Sequence, residues 1–163
     1  MKFAPLKFGW MFIATAFLIS TGCARGMNYY GTDITAYNHS QHDIAYFSAK
    51  IGNGKGGGGG YVGAGTGGGS MTCCIQAPIK WEANLRATVK FTANVNGADN
   101  EIIKEVLIPK YSKEEAGHVS VHFLYNGDIK VFVTQYALGH RKYPLNGKEA
   151  EMKPGVPLEI VWQ

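Results

Sequence analysis

The chain has 163 residues, 45% of them hydrophobic, and a formal net charge of +4. That length suits one domain with a core of its own. Two of the positive charges, Lys2 and Lys7, lie in an N-terminal segment read below as a removable leader. The mature chain is therefore close to neutral and lacks the basic stripe that a nucleic-acid surface requires, so nucleic acid is set aside as a partner.

Lys2 and Lys7 give a basic start, an uncharged apolar run follows from Phe8 to Ile19, and Ser20-Thr21-Gly22-Cys23 closes the segment. This is the layout of a secretory signal peptide over residues 1–22. Gly22 directly before Cys23 resembles a bacterial lipobox, after which the cysteine is acylated and becomes the mature N-terminus. Ser20 stands where such boxes usually carry Leu, with Leu18 and Ile19 just upstream. The apolar run falls short of the roughly 20 residues of a bilayer span. Ala24 rather than Asp after the cysteine points to the outer membrane, with the protein facing the periplasm. Residues 23–30 read as a lipidated tether, and residues 31–163 as a single β-domain.

Beyond the tether the hydrophobic pattern has period two. Leu85, Ala87, Val89 and Phe91 alternate with polar residues, the mark of a strand with one buried face. Val119, Val121, Phe123 and Tyr125 repeat the pattern, and Ile129, Val131 and Val133 follow after Asn126-Gly127, a strong hairpin signal. Further strands are expected at residues 33–38, 44–51, 71–76, 101–108 and 158–162. Turns are expected at Asn96–Asn100 and Asn146-Gly147. Ser112–Gly117 could form one helical turn, with Ser112 as N-cap, acids behind it and Gly117 as stop. About seven short strands with turns between them define an all-β class, an antiparallel sandwich or barrel.

Between Gly52 and Gly69 twelve of eighteen residues are glycine. Ordering so much glycine is entropically costly, and a long surface loop is usually functional or disordered. Gly63-Ala64-Gly65-Thr66-Gly67-Gly68 matches a dinucleotide-binding string, but the residues after it look extended, without the helix whose N-terminus holds the pyrophosphate. No cofactor is expected.

His118 and His122 on one strand lie about 13 Å apart and cannot share an ion. His39 and His42 fall in the polar turn Asn38–Asp43 and read as surface residues, so no metal is expected. Cys73 and Cys74 remain once Cys23 is lipidated. In an oxidising compartment they are expected to be buried or joined as a vicinal pair. Such a bond closes no long loop. Neighbouring Cα atoms across a trans peptide, about 3.8 Å apart, lie below the usual disulfide range. No nucleophile elbow, zinc-protease motif or Cys-plus-His signature is present, and no enzymatic activity is expected. Trp81 reads as a core or rim aromatic, or alternatively as a partner-facing anchor.

The block Ala36-Tyr37-Asn38-His39-Ser40, a Phe47-containing stretch, a glycine-rich run into Cys73-Cys74, then Pro78-x-x-Trp81 and an alternating strand together resemble a known family. It is the Gram-negative lipoproteins grouped as domain of unknown function 3304. The likeness runs from about Thr35 to Phe91 and more loosely to the C-terminus; the long glycine tract departs from it. The resemblance implies an envelope lipoprotein of the kind encoded beside type VI secretion lipase effectors, with a role in immunity, and brings no catalytic residues.

Two functions of different class follow. One is a non-enzymatic guard that binds and neutralises a secreted lipase, with Tyr37, His39, Lys55, Tyr61 and Trp81 as candidate partner contacts. The other is a structural or ligand-binding envelope lipoprotein without a toxin partner. Either way, Cys23→Ser is expected to release the protein from the membrane fraction or leave its precursor unprocessed. Identical fractionation of mutant and wild type would remove the lipid anchor from the account.

Overall fold

The computed structural model of the protein describes residues 28–67, 71–95 and 98–153. These residues form strands β1 (Tyr29–Asn38), β2 (Ile44–Ile51), β3 (Gly57–Gly59), β4 (Thr66–Gly67), β5 (Thr72–Pro78), β6 (Arg86–Val95), β7 (Ala98–Leu107), β8 (His118–Phe123) and β9 (Ile129–Thr134). A 3-10 turn, Gly147–Ala150, follows them. The expected strand at 158–162 and the leader lie outside the described residues.

Two sheets face each other as a sandwich. The first runs β4-β1-β8-β9, with β5 also paired to β1; the second runs β3-β2-β6-β7. The barrel alternative falls, because the sheets remain separate ladders. One pairing departs from the antiparallel expectation: β1 and β8 are parallel, Ile34 opposite Val119 and Asn38 opposite Phe123. Parallel neighbours need a long crossover, and here the whole second sheet lies between them in sequence.

Alternation explains the core. Ala87, Val89, Phe91 and Ala93 of β6 point inward with Phe47, Ala49 and Ile51 of β2. They meet Ile34 and Ala36 of β1, Val119, Val121 and Phe123 of β8, and Val131 and Val133 of β9. The inward residues expected on these strands belong to this cluster except Tyr125, which lies past the end of β8 and is exposed. Trp81 packs against it, its indole nitrogen donating to the Ile108 carbonyl at 2.8 Å.

Several boundaries need correction. The tether does not extend to residue 30, because Tyr29 and Tyr30 already belong to β1. The Tyr30 hydroxyl donates to the Gly117 carbonyl at 2.6 Å, and the Tyr29 hydroxyl accepts from the Asn53 N–H at 3.0 Å. Two aromatic anchors thus hold the start of the strand. Ala98, Asp99 and Asn100, expected in a turn, pair with Val95, Asn94 and Ala93 in the β6–β7 ladder. Ser112 caps a single turn as expected: its N–H donates to the Glu115 carboxylate and its hydroxyl accepts from the Glu115 N–H. This reciprocal pair is the capping box at its smallest scale.

The glycine tract is not one long surface loop. Gly57, Gly58 and Gly59 pair with Ala49, Ser48 and Phe47 of β2, and Thr66 and Gly67 pair with Asn38 and Tyr37 of β1. The tract therefore adds a short strand to each sheet. Against β5, close approach favours glycine at two positions of the tract. A Cβ on Gly57 would lie 3.0 Å from the Ile75 backbone nitrogen, and one on Gly54 would lie 2.7 Å from the Gln76 carbonyl oxygen. Here the edge of the second sheet lies directly on β5 of the first. Lys55 and Gln76 stitch the same seam, the Lys55 N–H donating to Oε1 of Gln76 and the Gln76 N–H to the Lys55 carbonyl, each at 2.9 Å.

Shortening residues 56–60 would therefore remove a paired strand instead of leaving the fold intact. Gly57→Ala is expected to lower the unfolding free energy by about 1–3 kcal/mol, the usual cost of overpacking. Urea titration checks this; an unchanged midpoint would mean that the seam yields easily.

Candidate functional site

On β8 and β9 the inward residues are Val119, Val121, Phe123, Ile129, Val131 and Val133, so Ser120, His122, Phe132 and Thr134 face the other way. That outer face would ordinarily be wet. Instead residues 136–150 lie across it, and Leu124, Phe132, Tyr143, Leu145 and Ala150 form a second buried cluster with Tyr136 and Leu138 packed against it. The chain thus covers its own sheet with a third layer, and polar side chains are buried beneath.

His39 is 3% exposed, which corrects the expectation that it is a surface residue, and His122 is 0% exposed. They form a chain of three hydrogen bonds. His39 Nδ1 lies 2.9 Å from the Glu151 carbonyl oxygen, His39 Nε2 lies 2.8 Å from His122 Nδ1, and His122 Nε2 lies 2.6 Å from the Tyr143 hydroxyl. A carbonyl can only accept, so His39 Nδ1 carries a proton and donates. If His39 is neutral, its Nε2 is bare and accepts from His122 Nδ1–H. By the same logic His122 Nε2 is bare and accepts from Tyr143. One carbonyl therefore fixes both tautomers and the direction of every bond.

Electrostatics keep the chain neutral. Burial holds His122 well below the usual histidine range, and the neighbouring His39 and Lys130 lower it further. Burial also lowers His39, partly offset by the Glu151 carbonyl. Burial pushes the Tyr143 hydroxyl far up, the Ser120 hydroxyl offsetting part of the shift. Aromatic packing immobilises the rings: Tyr37 stacks on His122 with centroids 4.8 Å apart, and Phe132 and Tyr143 meet the same imidazole edge-on or tilted. His39 is therefore part of an internal lock, and Tyr37, which is only half-buried, packs its ring on that lock.

Tyr61 lies elsewhere. With Asp43, Phe47, Gly60, Thr66 and Thr72 it lines an open groove of about 760 Å³ between the β1 and β2 sides of the sandwich. Its ring is 67% exposed. Asp43 Oδ1 accepts from the Ala64 N–H at 2.8 Å. That bond and the Tyr61 hydroxyl hold the Asp43 carboxyl below the usual carboxylate range.

Lys55 sits in the seam turn and Trp81 against the core, so the five candidate contacts are not brought together. Cys73 and Cys74 are joined as a vicinal disulfide across a cis peptide bond, their Cα atoms 3.0 Å apart, and both are exposed rather than buried. Cys23 lies outside the described residues. Among the described residues no group of three or more His, Cys, Asp or Glu side chains could hold a metal, and no helix is long and apolar enough to cross a membrane.

His122, Tyr143 and Glu151 escaped the sequence reading. One signal pointed to them: Val131-Phe132-Val133 is apolar on both faces of its strand, which requires a cover on each side.

The fold and the locked outer face define an all-β sandwich covered on one face by its own C-terminal segment. The chain belongs to the family described as protein of unknown function (DUF3304), whose model matches residues 37–131. No curated protein and no solved structure matches it. The matched span includes Tyr37, His39, the cysteine pair and His122, whereas Tyr143 and Glu151 lie beyond it.

Replacing His122 by Phe would fill its volume but leave the His39 Nε2 and the Tyr143 hydroxyl buried without their partner. Each orphaned group costs about 1–3 kcal/mol, so a loss of about 2–6 kcal/mol is expected by equilibrium unfolding. A loss below about 1 kcal/mol would show that the chain contributes little to stability.

Proposed function

We propose that this protein is a non-enzymatic envelope lipoprotein, anchored through Cys23 and facing the periplasm, that binds and neutralises a secreted lipase. The groove beside Tyr61 is its contact surface. Tyr61 is the observation that carries the reading. It is a large aromatic left open at the lip of a concave surface, its hydroxyl held by Asp43 and the neighbouring backbone held by the Asp43–Ala64 bond. A rigid tyrosine of this kind gains contact area on binding at low entropic cost, and tyrosine is enriched among the residues that dominate interfaces. Glycines at 59, 60, 63 and 67 line the same groove. Without side chains there, a partner's backbone can approach closely.

The lipid anchor would hold this surface near the membrane, where a lipid-degrading enzyme acts. The family resemblance supports the same partner class. Where a secreted lipase is encoded beside the gene, Tyr61→Ala is expected to weaken binding to that purified lipase by about 30-fold, the loss of a typical hot spot of about 2 kcal/mol. It should reduce protection against that lipase in cells by the same route. Equal affinity for mutant and wild type would move the contact surface away from the groove, and a lipase that neither binds nor is inhibited would end the immunity reading.

A further inference from the structure

The His39 end of the histidine chain is tied to the groove twice. Asn38, the neighbour of His39, donates from Nδ2 to the Val62 carbonyl at 3.0 Å and to the His42 carbonyl at 2.8 Å. Val62 lines the groove. Glu151, which accepts from His39, is followed by Met152 and Lys153, which lie against Gly65: a Cβ there would meet the Lys153 side chain at 3.0 Å and the Met152 carbonyl oxygen at 3.2 Å. Gly65 has φ +64° and forms the turn between the two groove-lining residues Ala64 and Thr66. We propose that His39 and His122 form an acid-sensitive latch that holds the C-terminal cover, residues 136–153, on the outer face of the first sheet and thereby fixes the groove lip.

The geometry gives the latch its threshold. A first proton can be accommodated in two ways: on His122 Nε2, which keeps the His122–His39 bond and turns only Tyr143 from donor to acceptor, or on His39 Nε2, which reverses both bonds. A second proton leaves N–H groups on His39 and His122 facing each other across 2.8 Å. No rearrangement of two rings with donors on both nitrogens satisfies that contact.

The surrounding charges do not rescue it. On β1 the packed neighbour is Tyr37. On β9 it is Lys130, opposite His122 and paired with Glu149 at 2.6 Å. On the cover are Tyr143, Glu149 and Glu151, the last contributing its carbonyl. Lys130 opposes a buried positive charge, and its pairing with Glu149 screens that opposition only in part.

Release of the cover need not open the sandwich, because the cover's cluster of Leu124, Phe132, Tyr143, Leu145 and Ala150 is separate from the inter-sheet core. The sign follows from linkage. Both histidines are held neutral in the closed state and regain an ordinary pKa of about 6.5 when exposed, so the open state binds more protons in acid. Closure is complete above that value and weakens as pH falls below it. Between pH 7.5 and 5.5 two such groups raise the opening constant by up to about 100-fold, and one alone by about 10-fold.

Amide hydrogen exchange on the full chain, corrected for the intrinsic pH dependence of exchange, tests this directly. Residues 136–153 should lose protection by about 10- to 100-fold between pH 7.5 and 5.5, while β6, β8 and β9 keep theirs. His39→Gln offers a carboxamide that can accept from His122 and donate to Glu151 without titrating; it should reduce the change to 10-fold or less. Should that variant fail to fold, the wild-type series still decides, through a slope between one and two decades per pH unit below about 6.5. A cover whose protection is unchanged by pH, or lost only together with the sandwich, would overturn the latch. The inference uses the groove of the proposed function, but its readout needs no partner, so either can fail alone.

Discussion

A histidine with no solvent exposure must have both ring nitrogens satisfied from within the protein, and that constraint organises one side of this molecule. His122 sits in the middle of a strand on the face opposite the inter-sheet core. Its two partners come from segments far apart in the chain: His39 at the end of β1 and Tyr143 on the C-terminal cover. Satisfying one imidazole therefore fixes the register of β1 against β8 and the position of the cover together. The terminal acceptor, the Glu151 carbonyl, then sets the direction of the whole chain. Buried polar networks of this type are stable when every member is satisfied and costly when one is missing.

On the other side of the sandwich the organising element is the absence of side chains. The tract from Gly54 to Gly59 lies so close to Gln76 and Ile75 that a Cβ would intrude on backbone atoms. This approach joins the edge of one sheet to the edge strand of the other. The entropic cost of glycine is offset by the backbone hydrogen bonds of β3 and by the Lys55–Gln76 pair. The same tract continues into the groove lip, where Tyr61 and Asp43 face outward. A seam needed for folding and a surface open to a partner are thus made by one segment, which couples stability to any binding there.

The vicinal disulfide occupies a third position, distinct from both. Cys73 pairs with Asp33 at the bulge in the β1–β5 ladder, where the register shifts between Thr32 and Asp33. Thr72 beside it lines the groove, so the pair lies next to the groove without forming its wall. It is exposed at a ladder irregularity, the place in a sheet where side chains are commonly re-aimed.

The sequence by itself determined the fold class, β2 and β6 of the second sheet and most of the inter-sheet core, because these depend on local alternation. Residues 44–51 were legible to the residue, and Leu85, Ala87, Val89 and Phe91 declared their face through spacing alone. Family membership was legible too, in the Tyr37–Ser40 block, the glycine run and Cys73-Cys74. Tertiary structure decided whatever depends on partners distant in sequence. Period two says that a strand has two faces, but not that a later segment will cover the second; hence the burial of His122 was not legible, and His39 in its polar turn read as a surface residue. Composition says that glycine is expensive to order, but not that a neighbouring strand lies 3 Å from where a Cβ would be. The Tyr61 groove, the buried histidine chain and the seam all arise where segments meet that no local window contains, and for that reason only the assembled chain reveals them.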